Sequence, residues 1–197
     1  MTDSEIEFFD RLAPGWDKAE VRSTPARINA ILDYLNIEKN MSVLDLGTGT
    51  GVLLPYLSER VGKNGKVVGV DMSGGMLSLA EQKYGQLANV ELLKLDFEEE
   101  VIPGSYDLIL LYSVYPHLHF PFHTLEWLLK MNLKQDGTIV IAFPSDEEFI
   151  NNIHHERASD SDHLPKASVL AQTLSEHGFK AKVISATKDE YIVAIEA

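Results

Sequence analysis

The chain contains no cysteine, which excludes disulfides, thiolate metal ligands and a cysteine nucleophile together. Basic residues are scarce: 17 Lys and Arg stand against 30 Asp and Glu, a net charge of -13. So acidic a chain repels polyanions, and no local cluster of Lys and Arg offsets the charge, so nucleic acid is not an expected partner. Long apolar runs are missing as well, since no segment approaches the roughly 18 residues of a membrane span. The start, Met1-Thr2-Asp3-Ser4-Glu5, is acidic and lacks the basic-then-apolar plan of a secretory signal. A cytoplasmic protein without a membrane partner is the expectation. Internal repeats and low-complexity tracts are absent too.

What is present is ordinary for a globular protein. Hydrophobic residues make up 45% and charged residues 24% of 197 positions, enough for one well-buried α/β domain and short for two. Strand and helix patterns alternate strictly along it. Thr24-Pro25 supplies an N-cap and a proline at the first helical position, with Ile28, Ile31, Leu32 and Leu35 at helical spacing. Strands are expected at Val43–Leu46, Lys66–Val70, Val90–Leu95, Tyr106–Leu111 and Gly137–Phe143. Helices are expected after Gly51, after the cap Ser73, around Leu125–Leu129 and over Ser168–His177. Ala181–Ala186 and Tyr191–Ile195, joined through Lys188-Asp189, suggest an antiparallel hairpin. This series predicts a parallel sheet with helices on both faces and a mixed edge.

The stretch richest in chemical information is Val43-Leu44-Asp45-Leu46-Gly47-Thr48-Gly49-Thr50-Gly51, a buried strand turning through three glycines into a helix. Glycines at alternate positions permit positive φ and leave no Cβ between the turn and a ligand lying against it. Asp71, 20 residues beyond Gly51 at the end of the second strand, stands where an acid in a βαβ unit reaches a ribose. Asp45 and Asp71 together suggest a nucleoside. The dinucleotide fingerprint G-x-G-x-x-G is not met, because its third glycine position holds Val52. Asp45 would also set a negative charge near any phosphate, so a zwitterionic ligand fits better.

These residues resemble the class I S-adenosylmethionine-dependent methyltransferases, whose first motif is a strand ending in D-x-G-x-G-x-G. The resemblance implies a Rossmann-like fold with a seven-stranded mixed sheet of order 3-2-1-4-5-7-6, its last strand antiparallel. It implies S-adenosylmethionine as cofactor and S-adenosylhomocysteine as product; a small-molecule acceptor is expected, with O or N favoured over C as the methylated atom. Asp45, Gly47, Thr48, Gly49 and Gly51 are then assigned to the methionine part and backbone of the cofactor, and Asp71 to the ribose hydroxyls. Met72 would flank the adenine ring, with Met76 of the next helix among the contacts, and Asp96, followed by Phe97, would accept from the exocyclic amine. A strand-end turn residue is the other reading of Asp96. In Leu111-Tyr112-Ser113-Val114-Tyr115-Pro116-His117 the family places groups around the methionine amine and reactive methyl, so Leu111, Tyr112 and Ser113 join the contacts. Tyr112 and His117 are candidate catalytic groups, although His117 could equally cap the following helix. The N/D-P-P-Y/F signature of amino-methylating nucleic-acid enzymes is absent from this stretch.

Phe8-Phe9-Asp10-Arg11-Leu12-Ala13-Pro14-Gly15-Trp16-Asp17 looks like the F-D-x-x-A-x-x-Y/W-D opening of the quinone-biosynthesis-like branch. Its implied role, within residues 1–24, is a cap over the cofactor, with Trp16 on the inner face; an amphipathic helix packed for stability is the alternative. Residues 144–165 are expected to be irregular and to form the substrate side. His154 or His163 would serve there as base with Asp162 orienting it, and similar uncharacterised bacterial methyltransferases carry I-N-x-x-H and D-x-L-P at these places. A metal is a second reading of this His- and Asp-rich stretch and a solvated loop a third, but no ligand template such as H-E-x-x-H occurs and no metal ligand is assigned. His119 and His123 are expected at the surface. Beside methyl transfer stand an NAD(P)-dependent oxidoreductase and a non-catalytic S-adenosylmethionine-binding regulatory protein. A monomer or homodimer is expected.

Overall fold

Apolar residues at strand spacing, covered from both sides, organise the molecule. The structure, a computed structural model, describes residues 3–19, 22–156 and 163–197. Helix α1 (Asp3–Leu12) runs through a 3₁₀ turn (Ala13–Gly15) into the short α2 (Trp16–Ala19), and α3 (Pro25–Asp33) follows. Then come β1 (Ser42–Leu46), α4 (Leu54–Val61), β2 (Lys66–Asp71), α5 (Gly74–Tyr84), β3 (Val90–Lys94) and β4 (Tyr106–Tyr112). The remainder is a 3₁₀ turn (Tyr115–His117), α6 (Pro121–Met131), β5 (Leu133–Phe143), α7 (Glu147–Glu156), α8 (Ala167–Glu176), β6 (Lys180–Ala186) and β7 (Tyr191–Glu196).

The seven strands form one sheet in the order β3-β2-β1-β4-β5-β7-β6, as the resemblance implied. β1 pairs in parallel with β2 on one side and with β4 on the other, so the chain reverses its direction of progress across the sheet at this pair. β7 lies antiparallel to both β5 and β6. Successive side chains of a strand point to opposite faces, and the core divides accordingly. Leu44, Leu46, Val68, Val70, Ile109 and Leu111 pack on one face with Leu125 and Leu128 of α6 and Leu170 and Leu174 of α8. Val43, Val67, Leu108 and Leu110 pack on the other with Ile28, Ile31 and Leu32 of α3 and Leu54 and Leu57 of α4. Both faces are therefore dry, and each fully buried leucine contributes about 1.5–3 kcal/mol.

Local signals start and stop the helices as expected. Thr24 Oγ1 accepts the Arg27 N–H at 3.4 Å, and Ser73 Oγ accepts the Met76 N–H at 3.1 Å. Gly178, at φ +91, turns the chain out of α8. Arg27 of α3 donates to the Pro144 carbonyl and to the Asp189 carboxylate, tying α3 to the end of β5 and the β6–β7 turn.

Two elements differ from the sequence expectation. β5 begins at Leu133, not Gly137, because Leu133 pairs with Tyr106 before the register shifts to Leu108 opposite Thr138. The span 144–165, expected to be irregular, carries α7 over Glu147–Glu156. Asp146 caps this helix by accepting the Phe149 N–H at 3.0 Å, and Ile150 is buried against the core. Residues 157–162 lie outside the described residues. Among the described residues no helix is long and apolar enough to cross a membrane.

Candidate functional site

The carboxyl ends of β1, β2 and β4 meet where the strand order reverses, the place where open α/β sheets bind ligands. A crevice of about 810 Å³, its open mouth included, lies there. Asp45, Gly47, Thr48, Gly49 and Thr50 of the β1 turn line it, with Asp71, Met76, Phe97, Tyr112, Ser113 and His117. Phe9 and Trp16 of the N-terminal segment close it from above.

The turn after β1 is held tightly. Gly47 N–H and Thr48 N–H both donate to the Val70 carbonyl, at 2.8 and 2.9 Å. A Cβ on Gly47 would meet Val114 Cγ2 at 2.5 Å, and one on Gly51 would meet Leu54 at 2.7 Å and Tyr84 at 3.0 Å. At both positions, φ +70 and φ +83, the protein itself takes up the side-chain space. Gly49 differs: at φ +55 it has nothing within 4 Å of a built Cβ, so its bare backbone faces the open crevice.

Two acids form the floor. Asp45 is 2% exposed and its Oδ2 accepts the Thr48 hydroxyl at 2.6 Å. Burial pushes its carboxyl up to about 7, aided by the charge of Asp71 and opposed by the Thr48 hydrogen bond. Asp71 is 9% exposed; its Oδ2 accepts the Gly49 N–H at 2.8 Å and its Oδ1 the Ser73 N–H at 2.9 Å. Burial raises its pKa too, against the pull of the Ser73, Gly49 and Met72 amides. Buried acids beside open space suit a ligand that brings hydroxyl donors or positive charge.

The roof is aromatic. The Phe9 ring meets Trp16 edge-on at 5.9 Å and His117 at 5.6 Å. Tyr112 Oη and Ser23 Oγ share a hydrogen bond of 3.0 Å on the wall. Two carboxylates pin the cap down. Asp10 Oδ1 accepts the Ser73 hydroxyl and, at 2.9 Å, the Gly75 N–H. Asp17 accepts the Thr50 hydroxyl at 2.6 Å through Oδ1 and the Lys83 ammonium at 2.7 Å through Oδ2.

Of the residues singled out in the sequence, Trp16, Asp45, Gly47, Thr48, Gly49, Asp71, Met76, Phe97, Tyr112, Ser113 and His117 converge on this crevice. Gly51, Met72, Leu111 and Asp96 are not among its lining residues. Gly51 packs against α4 and α5, the Met72 side chain is buried, and Leu111 belongs to the core on the α6 face. Asp96 Oδ1 accepts the Glu98 N–H at 2.9 Å in a turn after β3. The His154 side chain and Asp162 lie outside the described residues, and His163 is exposed. His119 and His123 sit at α6, His119 with its Nδ1 3.6 Å from Glu98 and His123 stacked on Trp127. No group of three His, Cys, Asp or Glu side chains converges on a possible metal position among the described residues.

Sequence reasoning did not pick out Phe9, Ser23, Thr50, Val52, Leu53 and Val114 as lining. Three of them had a usable signal: Phe9 opens the F-D-x-x-A-x-x-Y/W-D stretch, and Thr50 and Val114 lie inside the glycine turn and the stretch after β4.

Residues 37–191 match the family model described as a methyltransferase domain. The chain belongs to the class I S-adenosylmethionine-dependent methyltransferases. Malonyl-[acyl-carrier protein] O-methyltransferase of Acetivibrio thermocellus is 31% identical over 138 residues, covering 68% of this chain and 46% of that protein. The ubiquinone/menaquinone biosynthesis C-methyltransferase of Proteus mirabilis is 37% identical over 78 residues, 38% of this chain and 31% of its own length. The chain thus spans less than half the length of either curated relative. A crystal structure of a SAM-dependent methyltransferase from Aquifex aeolicus superposes with a TM-score of 0.71 at 25% identity, covering 99% of this chain and 98% of that one. The family's cofactor fits the residues present: the Gly49 backbone leaves room, Asp71 offers carboxylate oxygens beside the turn, and Asp45 offers a second buried carboxyl.

Proposed function

We propose that the chain transfers a methyl group from S-adenosylmethionine to an oxygen or nitrogen of a small organic molecule, with residues 1–197 acting as one domain and 1–24 as its cap. The observation that carries this reading is the pair of buried acids, Asp45 and Asp71, beside the open Gly49 backbone under an aromatic cap. Asp45 also argues against a pyrophosphate at the turn, and so against a nicotinamide-dependent oxidoreductase.

When bound, S-adenosylmethionine supplies a methyl group already activated by its sulfonium. The protein's share is therefore mainly positioning. Asp71 would accept from the ribose hydroxyls, and Asp45 with Gly47, Thr48 and Gly49 would hold the methionine part. Met76 and Phe97 offer apolar surface to the adenine. Tyr112, its phenol fixed by the hydrogen bond to Ser23, and Ser113 would hold the methionine amine. Phe9 and Trp16 exclude water from the reacting region. His117, edge-on to Phe9 at the wall, would take a proton from the acceptor. His154, carried by α7, and Asp162 are further candidates for the acceptor side. A small acceptor is supported by the net charge of -13 and by a lining whose charged groups are acidic.

Calorimetry with S-adenosylmethionine and with NADH tests the cofactor, and labelled-methyl transfer into metabolite extracts tests the reaction. Binding of the first ligand and a labelled small product are expected. Binding of NADH alone would overturn the reading, and cofactor binding without any labelled product across varied extracts would turn it into that of a regulatory protein.

A further inference from the structure

We propose that Asp10 and Asp17 are positioning residues: they latch the N-terminal cap over the crevice and so set the rate at which the cofactor and its demethylated product leave. The inference rests on the cofactor reading above and adds roles for two acids that neither bind the cofactor nor line its crevice.

Both latches land on the residues that hold the floor. Ser73 donates its N–H to Asp71 Oδ1 and its hydroxyl to Asp10, while its oxygen accepts the Met76 N–H. One serine thereby ties the roof, the ribose-side acid and the start of α5 together. Asp10 reaches one residue further, to Gly75 N–H at 2.9 Å, so it satisfies amide and hydroxyl donors at the first turn of α5. On the other side, Thr50 donates to Asp17 at 2.6 Å, and its neighbour Gly49 donates its N–H to Asp71 at 2.8 Å. Lys83, from the last turn of α5, completes the Asp17 latch at 2.7 Å.

The chain between these two anchors, Asp10 to Asp17, carries Trp16 and follows Phe9, the two rings that line the crevice. Fastening both ends of this short segment holds both rings down over a bound ligand. The two acids sit at the surface and are held mainly by hydrogen bonds to neutral donors, with one exposed ion pair added. Each latch is therefore weak enough to open and strong enough to bias the closed state. Ligand escape requires lifting the cap, so loosening either end raises the exit rate more than it disturbs the buried core.

The test uses the full chain and four variants: Asp10→Ala, Asp10→Asn, Asp17→Ala and Asp17→Asn. Dissociation of S-adenosylhomocysteine is followed by stopped-flow tryptophan fluorescence, and trypsin cleavage at Arg11 and Lys18 is followed without ligand. The alanine variants should release product about tenfold faster or more, and be cut correspondingly faster, since each loses hydrogen bonds to a charged acceptor. Asp10→Asn should recover near wild-type behaviour, because its amide oxygen still accepts from Ser73 and Gly75. Asp17→Asn should fall between, keeping Thr50 and losing the Lys83 attraction. Wild-type exit rates and wild-type cleavage in both alanine variants would overturn the proposal. Failure of the unaltered chain to bind either adenosyl ligand would instead overturn the cofactor reading, while the ligand-free cleavage rates would still decide whether the latch exists.

Discussion

Aspartates serve both the floor and the roof of the crevice, and the two sets are held in opposite electrostatic states. On the floor, burial pushes Asp45 up to about 7 and raises Asp71. On the roof, the Ser73 and Gly75 hydrogen bonds hold Asp10 below the ordinary range. Burial raises Asp17 as well, but Lys83 and Thr50 outweigh it and leave its pKa lowered. The floor acids thus strain the fold and the roof acids support it. A carboxylate kept where it destabilises the protein is better explained by a ligand than by architecture.

The sharpest break in that contrast should come from Asp71→Ala, which removes the ribose acceptor. It should weaken S-adenosylmethionine binding about 100-fold or more by calorimetry, on the scale of two lost charge-assisted hydrogen bonds. Unchanged affinity would remove the floor from the mechanism. Next comes Asp45→Asn, expected to weaken binding about tenfold while raising thermal stability at neutral pH by on the order of 1 kcal/mol. A variant that lost both binding and stability would contradict the account of the floor.

The same acid gives a pH signature. An unfolded aspartate titrates near about 3.9, whereas folded Asp45 titrates at about 7. Relative to Asp45→Asn, the stability of the protein should be level below about pH 4, decline as pH rises, and flatten above about 7. Affinity for a cationic ligand should run the other way, falling up to about tenfold per unit as pH drops below about 7. Both curves should vanish in Asp45→Asn. Smaller effects separate the glycines: Gly51→Ala, facing Leu54 and Tyr84 at φ +83, should cost about 1–3 kcal/mol of stability from overpacking, added to the left-handed backbone cost that it shares with Gly49. Gly49→Ala should cost the about 1–2 kcal/mol of its left-handed backbone and, unlike Gly51→Ala, should obstruct the ligand directly. Smallest of all, Lys83→Ala should shift the melting temperature by no more than about 2–4 °C, because the pair with Asp17 is exposed.

The sheet and the floor were legible in the sequence because each signal is local. Alternating glycines after a buried strand, an acid one βαβ unit later and a Ser73 cap all reappear in place. Less was legible where a motif names a stretch but not a face. Leu111 and Tyr112 are adjacent in β4 and point to opposite faces; the Leu111 side chain packs in the α6-side core, whereas Tyr112 lines the crevice. α7 was hidden by its polar composition, although Phe149, Ile150 and Ile153 share one helical face. Asp10 and Asp17 were visible as the two aspartates of the F-D-x-x-A-x-x-Y/W-D opening, but not their partners, which lie 33 to 66 residues away; long-range surface hydrogen bonds leave no periodicity behind.

Asp45 has one more consequence, for screening. Its displaced titration stores an unfavourable free energy that a suitably charged visitor can release as heat resistance. Melting curves measured across adenosine derivatives bearing sulfonium, ammonium or uncharged tails would therefore sort them by fit to the turn, before any methyl acceptor has been found.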